Sequence, residues 1–255
     1  MSSFWENHNY IQSVRFVPPQ PDALEKYPFC IPAVRSCGEL SLQSPVTFFT
    51  GENGSGKSTI LEAVAIAAGF NPEGGSRNFS FSTEDSHSGL YNFTQLTRGV
   101  YWPKDGFFLR AESFYNVATN IDQLDRAPGI GAHIIGAYGG HSLHRQSHGE
   151  SFLALVENRL RGKGLYIFDE PEAALSPTNQ LVLVRLIDRL VQKDSQFLIS
   201  THSPILLSYP NAVVYELSTD PGCPIQQLPF DQTQLFRLYQ GFLRAPQKVM
   251  RELLK

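Results

Sequence analysis

Residues 51–59, GENGSGKST, have the residue types and the spacing of a phosphate-binding loop. They fit the pattern G-x-x-x-x-G-K-[ST], in which glycines let backbone amides turn toward a phosphate group. Lys57 is placed to reach the β- and γ-phosphates of a nucleotide, and the Ser58 hydroxyl is placed to coordinate Mg²⁺. The predicted nucleotide-contacting residues of the loop are Gly51, Glu52, Asn53, Gly54, Ser55, Gly56, Lys57, Ser58 and Thr59.

The residues on either side of this loop predict the elements that position it. Residues 46–49 are an apolar run typical of a buried strand, and residues 60–68 carry apolar side chains at helical spacing. A strand, a loop and a helix in this order are the structural context that a phosphate loop requires. A chance glycine-rich turn is the alternative, and these flanks make it the weaker interpretation.

A pair of carboxylates, Asp169 and Glu170, follows the apolar run 165–168. Asp169 would hold Mg²⁺, and Glu170 would orient and deprotonate an attacking water. Since buried carboxylates are costly when alone, the pair also predicts a cation nearby. An exposed acidic dipeptide is the alternative, which the fully apolar strand before it disfavours.

Two further motifs stand beside predicted elements. Residues 146–150 precede a run with helical spacing, and Ser147 would cap that helix so that its amides form a second anion site. Residues 201–204, Thr-His-Ser-Pro, follow the apolar run 197–200. His141, His144 and His148 lack a matching set of cysteine or acidic ligands, which favours a phosphate-facing or solvated loop over a zinc site.

The composition is that of a globular protein: 42% of the 255 residues are hydrophobic and 18% are charged. The net charge of −3 gives no support to nucleic-acid binding, although a local basic stripe would be compatible with it. Three cysteines without metal spacing, no cleavable signal and no bilayer-length apolar run predict a cytoplasmic protein with no membrane insertion.

Aromatic residues are interspersed through residues 76–106, a segment otherwise rich in serine, asparagine, threonine and glycine. Few lysines or arginines lie among them. We therefore expect these aromatics to form a small satellite core and not a platform for stacked bases.

The four motifs, in their order, resemble the ABC-type ATPase superfamily. The resemblance rests on the phosphate loop, SHGE at 147–150, DEPEAALSP at 169–177 and STHSP at 200–204. It implies an α/β fold, namely a P-loop NTPase of the ABC-type ATPase head with a mixed β-sheet and flanking helices. It also implies one domain over residues 1–255, with a small inserted lobe at about 76–148.

The same resemblance implies a site shared between two protomers that sandwich two ATP molecules with Mg²⁺. Ser147 and Gly149 would bind the γ-phosphate of the partner's nucleotide, and residues 174–176 would cross the dimer seam. Lys57, Glu170 and His202 would be the catalytic residues, with Ser58 and Asp169 as metal ligands. The glutamine usual after the central strand has no clear match; Glu112 is the candidate for its metal-binding role, and a structural salt bridge is an equal alternative.

The SHGE and THSP motifs resemble a soluble branch that includes RecF, SMC and OLD-type ATPases and small predicted AAA-21-type ATPases. This implies an ATP-dependent homodimer that hydrolyses ATP and switches a partner protein or nucleic acid, with DNA repair or phage defence as the implied setting and a separately encoded effector as a partner. Two alternatives stay open: the nucleotide-binding subunit of a membrane transporter, and a binding module with an idle ATP site.

Overall fold

A computed structural model of the chain describes residues 9–76, 88–110 and 148–255. The strands are β1 Ile11–Phe16, β2 Glu39–Ser41, β3 Val46–Gly51, β4 Gly75–Ser76, β5 Thr94–Arg98, β6 Asp105–Arg110, β7 Gly164–Asp169, β8 Gln196–Ser200, β9 Val213–Leu217 and β10 Ile225–Gln227. The α-helices are α1 Pro32–Arg35, α2 Lys57–Ala67, α3 His148–Arg159, α4 Pro177–Val191, α5 Pro204–Leu207, α6 Gln234–Arg244 and α7 Pro246–Leu253.

A seven-stranded sheet in the order β10-β9-β3-β8-β7-β6-β4 forms the centre of the fold. The five strands from β9 to β6 run parallel, whereas β10 and β4 pair antiparallel at the two edges. The predicted mixed sheet is thus confirmed. Because β3, β8 and β7 are neighbours, the motifs that follow them meet at one edge of the sheet.

Alternating side chains of these strands divide the core between the two faces of the sheet. Phe48, Phe168 and Phe197 pack with α3, α4 and α5 on one face. Phe49, Ile167 and Leu198 pack on the other face, against α2 and a smaller sheet. Strands buried on both faces read as continuous apolar runs, which is why β3, β7 and β8 were visible in the sequence.

The smaller sheet, antiparallel in the order β2-β1-β5, is fastened to the large one by the side chain of Gln196. Its Oε1 accepts hydrogen bonds from the backbone amides of Tyr10 and Ile11, each at 2.9 Å. Its Nε2 donates to the carbonyls of Ile11 and Leu42, each at 2.8 Å. Gln196 is fully buried, and these four hydrogen bonds satisfy both donors and both acceptor sites of its amide group.

The aromatics of residues 88–106 divide into two groups. Phe93 packs edge-on against buried Phe29, with 5.1 Å between ring centroids, as expected for a satellite core. Tyr101 and Trp102 are instead 47% and 70% exposed, so the core prediction is wrong for these two. The predicted lobe at 76–148 falls largely on residues 77–87 and 111–147, outside the described residues, and stays a prediction.

The C-terminal helices α6 and α7 leave large apolar side chains in solvent, among them Leu238, Leu243 and Leu253. Within the described ranges, no helix is both long enough and apolar enough to cross a membrane.

Candidate functional site

The phosphate loop occupies the turn between β3 and α2, as predicted. Gly51, Gly54 and Gly56 have φ angles of 137°, 80° and 100°, values that glycine tolerates far better than other residues. A Cβ on Gly51 would lie 2.0 Å from the carbonyl oxygen of Leu217. Gly51 is therefore required both by its backbone conformation and by the close approach of β9.

Lys57 begins α2 and folds back over the loop. Its Nζ donates hydrogen bonds to the carbonyl oxygens of Gly51 and Glu52, each at 3.0 Å. Burial lowers the pKa of Lys57, while the nearby carboxylates, Glu170 foremost, act in the opposite direction. The ammonium group is thus held beside the loop, where it could form an ion pair with a phosphate group of a bound ligand.

Asp169 links the phosphate loop to β7 and β8. Its Oδ1 accepts a hydrogen bond from Ser58 Oγ at 3.0 Å and another from Ser200 Oγ. The side chain is buried, and Arg110 Nε lies 3.9 Å from Oδ2. Arg110 is therefore one cation near the carboxylate pair, where the sequence predicts a positive charge.

Arg110 and Glu62 form a second layer behind Asp169 that the sequence did not reveal. Arg110 Nη1 lies 2.6 Å from Glu62 Oε2, and Glu62 Oε1 accepts the backbone amide of Ser88 at 2.7 Å. Arg110 stands opposite Asp169 in the pairing of β6 with β7. This register places Arg110 beside Asp169, but predicting it requires knowing that β6 and β7 are neighbours.

Glu170 follows in a left-handed conformation, with φ 51° and ψ 53°. This conformation costs a non-glycine residue about 1–2 kcal/mol. The Glu170 amide offsets the cost by donating to the carbonyl and the hydroxyl of Ser200, each at 3.1 Å. The turn separates the two carboxylates: Asp169 points inward, while the Glu170 side chain is 40% exposed.

His202 lies across from Glu170, with 3.4 Å between His202 Nε2 and Glu170 Oε1. Nε2 is buried and has no hydrogen-bond partner among the residues that the structure describes, so this is a close approach and not a hydrogen bond. Burial lowers the pKa of His202, and the charge of Lys57 lowers it further, against the opposing effect of Glu170. The ring is therefore neutral near pH 7.

The Glu172 side chain fixes the backbone of His202. Its Oε1 accepts the amide of His202, and burial raises the pKa of the Glu172 carboxyl. Ser200 and Glu172 belong to the motifs at 200–204 and 169–177, but these positioning hydrogen bonds join distant segments and cannot be predicted from a local pattern.

The start of α3 packs on the turn that follows Glu170. A Cβ on Gly149 would lie 2.8 Å from the carbonyl oxygen of Ala174 in the same protomer. Gly149 thus permits a close helix-to-turn contact. Ser147, Glu112, His141 and His144 lie outside the described residues, so their assigned roles stay predictions.

Helix α6 also reaches this edge of the sheet. A cavity of about 100 Å³ beside the phosphate loop is lined by Gly51, Glu52 and His202 together with Leu235 and Leu238. The exposed apolar surface of α6 therefore continues to the mouth of the site.

Comparisons with known proteins agree with this arrangement. A family described as AAA ATPase domain matches residues 151–207, and one described as AAA domain matches residues 33–100. An ATP-binding cassette of an ABC transporter matches at 16% identity and a TM-score of 0.50, covering 91% of this chain and 98% of that one. The chain has the fold of the ABC-type ATPase superfamily.

Two further solved structures are similar. A putative metal-chelate type ABC transporter in an inward-facing conformation matches at 15% identity and a TM-score of 0.50, covering 88% of this chain and 84% of that one. The SMC head domain from Thermotoga maritima matches at 16% identity and a TM-score of 0.45, covering 86% of this chain and 98% of that one. No curated protein matches the chain significantly.

The ABC-type ATPase fold implies a nucleotide with Mg²⁺, and the residues of this site fit both. Ser58 Oγ, a hydroxyl oxygen, and Asp169 Oδ1, a carboxylate oxygen, lie 3.0 Å apart. Mg²⁺ prefers oxygen ligands of these types. Mg²⁺ keeps several waters and binds substrate phosphates, so few protein ligands are needed. In the described part of the chain, no group of three or more histidine, cysteine or acidic side chains could hold a metal ion.

Proposed function

We propose that the chain binds and hydrolyses ATP, and that ATP closes two copies into a dimer whose opening and closing acts on a partner protein or nucleic acid. The observation that carries this proposal is the hydrogen bond between Ser58 Oγ and Asp169 Oδ1 at 3.0 Å. It joins the phosphate loop to the strand end that carries Glu170, within reach of His202.

Each side chain has a defined part in the proposed hydrolysis. Lys57 and the loop amides bind the phosphates, while Ser58 and Asp169 hold the magnesium ion. When bound, Mg²⁺ neutralises charge that develops on the phosphate oxygens. The Glu170 carboxylate, on a side chain that is 40% exposed, would accept a proton from the attacking water, and His202 would help to position that water or the phosphate.

Closure of two protomers would involve the start of α3, which includes residues 148–150 of the SHGE motif. Within one protomer Gly149 packs on the turn 171–174 that follows Glu170, so α3 and this turn would move together. In the proposed dimer, Ser147 and Gly149 of one protomer bind the γ-phosphate held by the other. A site completed only on association predicts slow turnover that rises with protein concentration.

The proposed setting is cytoplasmic, in DNA repair or phage defence with a separately encoded effector, as in the soluble branch that the motifs resemble. The nucleotide-binding subunit of a membrane transporter is the alternative. It would be favoured if the chain copurified with a membrane protein.

The test combines light scattering with an ATPase assay on the Glu170→Gln variant. We expect the variant to bind ATP, to lose at least 100-fold in turnover, a loss of the size that general acid–base catalysis supplies, and to shift from monomer to dimer when ATP and Mg²⁺ are added. Glu25→Gln is the matched control, because Glu25 lies in an exposed ion pair with Arg35. Wild-type turnover in Glu170→Gln would overturn the catalytic assignment, and an ATP-independent mass would overturn the switch.

A further inference from the structure

A basic cavity lies at the edge of the sheet opposite the nucleotide site, where β6, β7 and β8 begin. It has a volume of about 780 Å³. The side chains that line it are Lys104, Asp105, Arg159, Arg161, Lys163 and Lys193. Five cations and one carboxylate thus surround a single cavity in a protein whose net charge is −3.

The one carboxylate in this lining is already engaged. Asp105 Oδ1 accepts Arg159 Nη1 at 2.8 Å, and Asp105 Oδ2 accepts the Tyr166 hydroxyl at 2.9 Å and the Arg161 amide at 3.2 Å. Within the described part of the chain, Lys104, Arg161, Lys163 and Lys193 have no ion-pair partner. The positive charge of these four side chains is therefore left for a ligand.

Backbone hydrogen bonds hold these cations together despite their mutual repulsion. The Lys163 amide donates to the Lys193 carbonyl at 2.7 Å, and the Lys104 amide donates to the Lys163 carbonyl at 2.8 Å. Lys163 adopts a left-handed φ of 50° within this clamp. Three separate chain segments are thereby fixed around the cavity.

An exposed aromatic precedes the first lining residue of the cavity in the chain. Trp102 precedes Lys104 by two residues and is 70% exposed. The Arg98 guanidinium lies 5.1 Å from its ring centroid, a cation–π contact that steadies the indole. A cationic groove combined with an exposed aromatic side chain is how proteins bind single-stranded nucleic acid without sequence preference.

We propose that this surface, made of Trp102 and the basic cavity, binds the backbone and one base of a single-stranded nucleic acid. A concave lining made of charged side chains admits a flexible phosphate chain, whereas a flat lipid surface would not reach it. Because the described lining is mainly lysine and arginine side chains, which suit phosphate contacts, binding should depend strongly on salt and only weakly on sequence. The inference names a substrate class for the switch proposed above, but it does not depend on hydrolysis.

The binding test uses the full chain without ATP and a labelled oligothymidylate of about 16 nucleotides, near the upper site size of such surfaces. Anisotropy is measured from about 50 to about 200 mM salt to obtain the slope of log K against log salt. The protein has two tryptophans, so a Trp5→Phe variant leaves Trp102 as the only one. Stacking of a base on Trp102 should quench its fluorescence in that variant.

Two variants test the two parts of the surface. Lys104→Gln combined with Lys193→Gln should reduce the salt slope by about 1.4, since each lost phosphate contact on a single strand contributes about 0.7. Trp102→Ala should weaken binding about tenfold, as expected for one stacked base. The control, Lys248→Gln with Arg251→Gln, removes equal charge from exposed α7 and should leave the slope unchanged.

Several results would overturn the proposal. These are no binding of the oligonucleotide at about 50 mM salt, an unchanged slope in the Lys104/Lys193 variant, and binding of anionic vesicles in place of the oligonucleotide. Duplex DNA that binds as tightly as the single strand would remove the role of Trp102. Because none of these measurements involves ATP, failure here is distinct from failure of the ATPase assignment.

Discussion

Ser58 and Asp169 are 111 positions apart in the chain, yet Ser58 Oγ donates a hydrogen bond to Asp169 Oδ1 at 3.0 Å. The bond forms because β3 and β7 both neighbour β8, which brings the start of α2 over the end of β7. These two oxygens are the protein's proposed ligands for Mg²⁺.

The Ser58→Ala variant removes one of these ligands. We expect the Mg²⁺ concentration for half-maximal ATPase activity to rise about tenfold, since a lost ligand interaction of about 1.4 kcal/mol corresponds to that factor. Titration of activity with Mg²⁺ at saturating ATP measures the effect. Ser58→Thr keeps the hydroxyl and should behave as wild type; an unchanged Mg²⁺ requirement in Ser58→Ala would exclude the ligand role.

The buried ion pair of Glu62 with Arg110 should show strong coupling. Arg110→Gln leaves the Glu62 carboxylate buried without its cation, which should lower the free energy of unfolding by about 3 kcal/mol. Glu62→Gln should cost a similar amount, and the double variant should cost less than the sum. Urea denaturation of the four proteins gives the coupling energy. Additive effects would mean that the pair contributes no interaction of its own.

The sequence predicted the central elements because their signals are local. The apolar runs at β3, β7 and β8 and the glycine pattern of the loop each lie within about ten residues, and each was placed correctly. Strands β3, β8 and β7 are also neighbours in the sheet, so the motifs that follow them lie together at one edge.

Contacts that depend on strand order were not predictable in the same way. Arg110 meets Asp169, and Gln196 meets the backbone of β1, only because of pairings between distant segments. Gln196 resembles any polar residue at the start of a strand. The core prediction is wrong for Trp102 because burial of an aromatic side chain depends on what packs over it, which residue type alone does not show.

Two loop glycines should respond differently to alanine. In Gly51→Ala the new Cβ would meet the Leu217 carbonyl at 2.0 Å, so we expect a lower melting temperature together with loss of ATP binding. Gly54 has a φ of 80° but nothing within 4 Å of its Cβ position. Gly54→Ala should therefore retain more of the stability than Gly51→Ala does. Thermal unfolding with ATP-binding assays separates the two effects, and equal losses of stability would contradict the steric argument.

The lowered pKa of His202 predicts a pH-dependent stability effect. Since burial and Lys57 disfavour the imidazolium in the folded state, the unfolded chain binds more protons between the folded pKa and about 6.5. The His202 contribution therefore makes folding less favourable as pH falls through that window. Replacement by glutamine removes this penalty, so His202→Gln should gain stability relative to wild type as the pH is lowered from about 7 to about 5.

Urea denaturation of both proteins across this pH range measures the difference, in which the other titrating groups cancel. The same substitution in a Lys57→Gln background is the control. Without the Lys57 charge the folded pKa of His202 should rise, and the pH dependence of the difference should shrink. A difference that is independent of pH, or that favours wild type at low pH, would mean that His202 accepts a proton readily in the folded protein and is not the neutral ring proposed beside Glu170.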